Sequence, residues 1–197
     1  MYEKNLIKNK KTYSDINLQP RIGLKITGAN LAYKNNIVFQ NLSADIVAAK
    51  WTCILGPSGV GKSTLLRMIA GLEEINNSET VTTSDGDNPT QYISWMSQQD
   101  LLLPWLSVSE NISLGNRLRK EKIDYAYIKS LLVDVGLDQR SDSLPRTLSG
   151  GEKQRVALAR TLMEGKPVVL MDEPFSAVDA ITRSRLQELA SKLLQGR

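Results

Sequence analysis

The stretch Gly-Pro-Ser-Gly-Val-Gly-Lys-Ser-Thr, Gly56 to Thr64, constrains the fold of this 197-residue chain more than any other. It fills the pattern G-x-x-x-x-G-K-[ST] without a gap, with Gly56, Gly61, Lys62 and Ser63 at the fixed places. The apolar run Trp51-Thr52-Cys53-Ile54-Leu55 ahead of it is expected to enter as a buried strand. Behind it, Leu65-Leu66-Arg67-Met68-Ile69-Ala70 has helical spacing and meets Gly71, which reads as a helix stop. A glycine loop between strand and helix lets backbone N–H groups close around a polyphosphate, with the positive end of the helix dipole behind them. Gly56, Pro57, Ser58, Gly59, Gly61 and Thr64 are therefore candidate nucleotide contacts. Lys62 is expected to reach the β- and γ-phosphates, and Ser63 to place its hydroxyl on Mg²⁺.

The length suits one domain with a sizeable core, and the charged share of 23% is that of an ordinary globular protein. No apolar run approaches the ~20 residues that span a bilayer, and no apolar leader follows the first lysines. The single cysteine, Cys53, is expected to be a small buried hydrophobe, which excludes a disulfide framework and fits a cytoplasmic protein. Residues 1–22 carry +3 of the chain's net +4, so the rest is close to neutral. That pattern reads as a basic, flexible extension and argues against a nucleic-acid partner.

Alternating apolar residues at Leu24, Ile26, Leu31 and Tyr33, and again over Ile37 to Ile46, predict a small antiparallel sheet ahead of the phosphate loop. Tyr33 is either a half-buried strand aromatic or a stacking partner for an adenine base. Turn clusters at Asn76-Asn77-Ser78 and Ser84 to Pro89 surround a short strand at Val81-Thr82-Thr83. The strand Tyr92 to Met96 delivers Ser97-Gln98-Gln99 to the carboxyl edge of the sheet, making Gln98 a candidate contact to Mg²⁺ or γ-phosphate. The apolar segment Leu101-Leu102-Leu103-Pro104-Trp105-Leu106 is either core or a surface that meets another protein. A capping box, Ser107-Val108-Ser109-Glu110, predicts a helix through about Leu118, and a second helix is expected from Asp124 to Val135 with Gly136 as its stop.

Leu148-Ser149-Gly150-Gly151-Glu152 precedes a helix marked by Val156, Ala159, Leu162 and Met163, so its amides can face an anion. Pro167-Val168-Val169-Leu170-Met171-Asp172-Glu173 is a buried parallel strand that ends in two carboxylates. With a phosphate loop in the same chain, Asp172 is expected to hold Mg²⁺ together with Ser63, and Glu173 to polarise an attacking water. An amphipathic helix with Ile181, Leu186, Leu189 and Leu193 follows.

Gly56 to Thr64, Gln98, Leu148 to Gln154 and Val168 to Asp179 come in the order found in ATP-binding cassette (ABC) transporter ATPases, and residues 23–197 resemble that family. The resemblance implies an α/β fold, a P-loop NTPase (RecA-like) core with an antiparallel β subdomain and a helical subdomain at about 105–150. Within it Tyr33 matches the adenine-stacking aromatic, and Gln98 the loop that senses γ-phosphate and couples to the membrane subunit. Lys62, Gln98 and Glu173 match the catalytic positions. Ser149, Gly150 and Gly151 match the signature that touches ATP held by the opposite subunit of a dimer, and Asp179 the loop that enters that contact. Gln98 with Leu102 to Trp105, and Asp172 to Ala177, look like the importer group for nitrate, sulfonate, taurine and thiamine precursors. The implied protein is a cytoplasmic ATPase, peripheral on the inner face of the membrane. It would be paired with itself or a related ATPase, bound to permease subunits, and served indirectly by a substrate-binding protein.

The family also carries a switch histidine on the strand after Asp179, and this chain has no histidine. The sequence is therefore expected to be C-terminally truncated, lacking that strand. The alternatives are a nucleotide-binding module with little turnover and a soluble, non-transport member of the same superfamily.

Overall fold

The computed structural model describes residues 21–33, 36–73, 80–176 and 178–194. Most of the basic extension, the Lys34-Asn35 turn, the Asn76 to Ser78 turn and Ala177 lie outside the described residues. The first layer is a sheet of β1 (Leu24–Tyr33), β2 (Asn36–Ile46) and β3 (Val81–Thr83), all antiparallel, with β1 in the middle. Leu24 and Ile26 face inward, and so do Ala29 and Leu31; that change of phase requires a bulge, and the pairing with β2 slips between Ile26 and Ala29. The helix α1 (Lys62–Ile69) lays Met68 and Ile69 against this face, joined by Val81 and Leu170.

The second sheet pairs β4 (Ile93–Met96) with β5 (Val168–Met171) in parallel, with Met96 beside Met171. Parallel neighbours need a long crossover, and here it is helical. The crossover runs through α2 (Val108–Ile112), α3 (Leu114–Leu118), α4 (Tyr125–Asp134) and α5 (Gly150–Met163); α6 (Ala180–Leu194) follows β5. The capping box at Ser107 and Glu110 forms. The one helix expected from it is two, however, broken at Ser113, whose hydroxyl donates to the carbonyls of Ser109 and Glu110 and competes with the helical ladder. The helix expected after Asp124 forms with that residue as its cap, and its core face holds Ile128, Leu131 and Leu132. These pack with Val108, Ile112, Val156, Leu158 and Leu162 into the larger core, which also takes Leu186, Ala190 and Leu193 of α6. Ile181 is exposed, because it lies five positions before Leu186 and off the stripe that Leu186, Ala190 and Leu193 define.

A further expectation fails ahead of the phosphate loop. Residues 51–57 form no strand, and Trp51, Cys53 and Leu55 are exposed, Leu55 by 90%. A strand is held by hydrogen bonds to its neighbours, and among the described residues none runs beside this segment. Its apolar composition signals burial, but composition cannot supply the partner.

Asn111 shows how the helical region holds the chain leaving β4. It is fully buried, its Nδ2 donates to the carbonyls of Leu103, Leu106 and Ser107, and its Oδ1 accepts from the Leu103 N–H at 2.8 Å. Truncation would leave those groups without their partner, at about 1–3 kcal/mol for a buried polar group. Asn111→Ala should lower the urea midpoint by an amount equivalent to about 2 kcal/mol, with the slope unchanged. A midpoint equal to that of the unsubstituted protein would contradict this role.

Candidate nucleotide site

The phosphate loop is shaped by close approach of β2. Gly61 sits at φ +101°, where other residues are strained, and a Cβ there would lie 2.7 Å from Val38 Cγ1, so a side chain would also have to displace that of Val38. Gly61 is also where α1 begins, without a side-chain cap and without an acidic residue in its first turn. The first N–H groups of a helix have no intrahelical partners, so this start is free to take an anion. Lys62 Nζ donates to the carbonyls of Gly56 at 3.0 Å and Pro57 at 2.9 Å, folding the ammonium over the loop.

The parallel pair β4–β5 brings the acids to the loop. The Asp172 N–H donates to the Met96 carbonyl at 2.9 Å, continuing the β4–β5 ladder by one residue, and the side chain is 6% exposed. Ser63 Oγ donates to Asp172 Oδ1 at 3.0 Å across 109 residues of sequence. One hydroxyl and one carboxylate are hard oxygen donors, and an incomplete set of that kind suits Mg²⁺, which completes its octahedron with water and phosphate oxygens. The residues present therefore fit Mg²⁺ brought with a nucleotide.

Beside this pair, Gln98 Nε2 donates to Glu173 Oε2 at 3.0 Å. Glu173 holds φ +45°, a left-handed backbone that a side chain other than glycine adopts at a cost of about 1–3 kcal/mol. Such strain collects at working sites, and here it aims the exposed carboxylate. The following turn is tied down by Arg183 of α6, whose Nε donates to the Phe175 carbonyl and Nη2 to that of Val178. Tyr33 is half exposed; a hydrogen bond to Glu73 raises its phenol above the usual value, burial and the Glu73 charge add to this, and Arg67 and Thr64 oppose it. The ring therefore lies alongside α1.

Ser149 and Asp179 belong to a second place. Ser149 caps α5, accepting from the Glu152 N–H, while Glu152 accepts from the Ser149 N–H in a capping box. The S-x-x-E spacing of Ser149 and Glu152 is a local sequence signal for this cap, beside the two glycines. Hydrogen bonding by the Ser149 N–H keeps the Glu152 carboxyl below the usual range, with the charges of Arg140 and Arg155 helping. Gly151 lies where a Cβ would meet Val178 Cγ1 at 3.2 Å, so the helix start fits closely on the Asp179 loop. Ser149, Gly151, Arg155, Val178, Asp179 and Thr182 line a cavity of about 280 Å³. Gly150 is open to the outside, with no atom near a built Cβ. No phosphate-loop residue lines that cavity.

Residues 39–176 match the model of the ABC transporter family, about seven-tenths of the chain. The chain belongs to that family. The aliphatic sulfonates import ATP-binding protein SsuB 1 of Rhodococcus jostii is 42% identical over 173 residues, 88% of this chain and 68% of that relative. An ABC transporter ATP-binding protein of Haemophilus influenzae is 41% identical, over 87% of this chain and 71% of the relative. The SsuB 1 protein of Pseudomonas savastanoi is 40% identical, over 83% of this chain and 65% of its own length. The chain thus spans about two thirds of the length of these relatives. Among solved structures, a bacterial Atm1-family ABC exporter with ATP bound superposes with a TM-score of 0.79 over 90% of this chain and 34% of the exporter, at 24% identity. That likeness shows the fold, the P-loop NTPase architecture of ABC proteins.

Asp179 caps α6: its Oδ1 accepts from the N–H groups of Thr182 at 3.0 Å and Ile181 at 3.1 Å. Those bonds, with Thr182 leading, hold the carboxyl below its ordinary value. The folded pKa is depressed, so the contribution is complete above the unfolded value of about 4 and is lost as pH falls through the folded value. Asp179→Asn keeps a capping oxygen and removes the titration. Its melting temperature should fall less steeply than that of the unsubstituted protein as pH drops below about 4. Identical slopes would show that the cap carries no pH dependence.

Proposed function

We propose that this chain is the ATP-hydrolysing subunit of an importer in the group that takes up sulfonates, nitrate, taurine and thiamine precursors. The observation that carries the reading is the Ser63–Asp172 hydrogen bond, which joins the phosphate loop to the end of β5 where a Mg·nucleotide would sit. Likeness to SsuB proteins at about 40% identity over most of the chain supports the importer role. Among the described residues no helix is long and apolar enough to cross a membrane, which fits a subunit that works through permease partners at the inner face.

Binding of the triphosphate draws Lys62 from the Gly56 and Pro57 carbonyls to the β- and γ-phosphates, while the uncapped start of α1 takes the phosphate oxygens. Ser63 and Asp172 would hold Mg²⁺, with Gln98 at its edge, and the ion would neutralise charge on the transferred phosphoryl group. Glu173 accepts the proton of the attacking water, and Gln98, already bonded to it, ties that base to the loop that leaves the sheet. Tyr33 supports the adenine ring. Ser149, Gly150, Gly151 and Asp179 reach the nucleotide of a second ATPase subunit in a head-to-tail pair. The segment Leu101 to Leu106 resolves into both of its readings: Leu102 packs on the core, whereas Leu101 and Trp105 stand exposed where a permease subunit can cover them. A substrate-binding protein would meet the permease and not this chain.

A second reading, nucleotide binding without turnover, is favoured by the unpaired and exposed segment 51–55, which leaves the strand side of the phosphate loop unsupported. The two readings part on a simple comparison. Lys62→Ala should lose Mg·ATP affinity with the circular dichroism spectrum unchanged. Glu173→Gln should keep that affinity and lose hydrolysis by about 10²- to 10⁴-fold, the usual contribution of a general base. If the unsubstituted chain binds ATP and hydrolyses it no faster than Glu173→Gln, the binding module is the correct reading. Retained affinity in Lys62→Ala would remove the phosphate-loop assignment.

A further inference from the structure

Gln98 lies on a short span between two anchors. The first is the end of β4, where the Met96 carbonyl accepts the Asp172 N–H at 2.9 Å. The second is Arg160, in the C-terminal half of α5. Its Nη2 donates to the Asp100 carbonyl at 2.6 Å and its Nη1 to the Leu101 carbonyl at 2.9 Å. Only residues 97–99 separate the anchors, so fixing both fixes the reach of the Gln98 side chain toward Glu173.

The second anchor is under load. Leu101 holds φ +47°, a region that L side chains rarely adopt, and its side chain is exposed, so packing offers nothing against the strain. What opposes it is hydrogen bonding: the guanidinium fork on the two carbonyls, and the Leu102 N–H donating to Asp100 Oδ1 at 3.0 Å. Asn111 holds the far end of the same loop through the Leu103 N–H and carbonyl. Arg160 is half-buried, and burial lowers its pKa against the opposing fields of Asp100 and Glu164. Carbonyl dipoles thus solvate a cation largely withdrawn from water, and the planar fork suits two adjacent acceptors as an ammonium would not. The helix that carries Arg160 starts at Ser149, some 16 Å away at 1.5 Å per residue.

We infer that Arg160 is a positioning residue: through the carbonyls of Asp100 and Leu101 it holds Gln98 against Glu173, and it ties the Gln98 loop to the same rigid helix whose start is the Ser149-Gly150-Gly151 turn. The inference rests on the proposed ATPase reading for its effect on turnover and on the loop geometry alone for the clamp itself.

The test has two arms. In the first, amide hydrogen exchange is followed without nucleotide in the unsubstituted protein and in Arg160→Lys, which keeps the charge and loses the fork. Exchange over residues 99–103 should rise at least tenfold, with the protection of α4 and β5 unchanged. Equal protection over 99–103 would overturn the clamp whether or not the protein hydrolyses ATP. A loss of protection spread evenly over the molecule would do the same, since it would mark Arg160 as a general stabiliser. In the second arm, Mg·ATP affinity and turnover are measured for Arg160→Lys, Gln98→Ala and the double variant. Arg160→Lys should lower kcat about tenfold with affinity within twofold, Gln98→Ala should lower kcat at least as far, and the double variant should be no slower than Gln98→Ala. Independent, multiplying effects would show that Arg160 does not act through Gln98. If the unsubstituted protein binds no nucleotide, the ATPase reading fails, and the exchange arm still decides the clamp.

Discussion

The hydrogen bond from Ser63 Oγ to Asp172 Oδ1 closes the longest sequence gap in the site and depends on both halves of the fold being in place. Ser63 stands in the first turn of α1, which is seated by Met68 and Ile69 on the antiparallel sheet. Asp172 stands one residue past β5, which is registered on β4 from Ile93–Val168 to Met96–Met171. A one-residue slip of that parallel pair would turn the two carboxylates to opposite faces, because side chains alternate along a strand. Cations and polyphosphates read such errors sharply, since a displaced carboxylate forfeits charge neutralisation where it is most needed. The Ser63–Asp172 pair is accurate because it is hung on sheet register and helix seating.

Much of this was legible in the sequence because the signals were local. The phosphate loop, the helix stops at Gly71 and Gly136, the capping box at Ser107 and the acids after a four-residue apolar strand each depend on residues within a few positions of one another. The parts that escaped depend on residues distant in sequence. Burial of Trp51 to Leu55 needs a neighbouring strand, and an apolar pattern cannot say whether one is present. The break at Ser113 turns on a hydroxyl choosing the backbone over solvent. Ile181 has an apolar side chain like the core stripe of α6, but it lies off the line of Leu186, Ala190 and Leu193 that the larger core buries.

Arg160 and Asn111 illustrate a different kind of blindness. Each is a polar residue in a helix of mixed composition, which a sequence reader assigns to the solvated face. Both instead turn toward backbone carbonyls of the Asp100 to Ser107 loop, Asn111 wholly buried and Arg160 half so. Their partners are main-chain atoms, so nothing in the side chains of that loop announces them. Irregular backbone near a site has to be satisfied by something. Asking which side chains satisfy it is how these two are found.

The account stands on Ser63 and Asp172 acting as one site for a Mg·nucleotide, and their coupling can be measured directly. The affinity for ATP is determined with and without Mg²⁺ for the unsubstituted protein, Ser63→Ala, Asp172→Asn and the double variant. A shared site predicts that each single change removes most of the Mg²⁺ enhancement and that the double variant loses little more, a coupling of at least about 1 kcal/mol between the positions. Additive losses, or a Mg²⁺ enhancement that survives in the double variant, would contradict it.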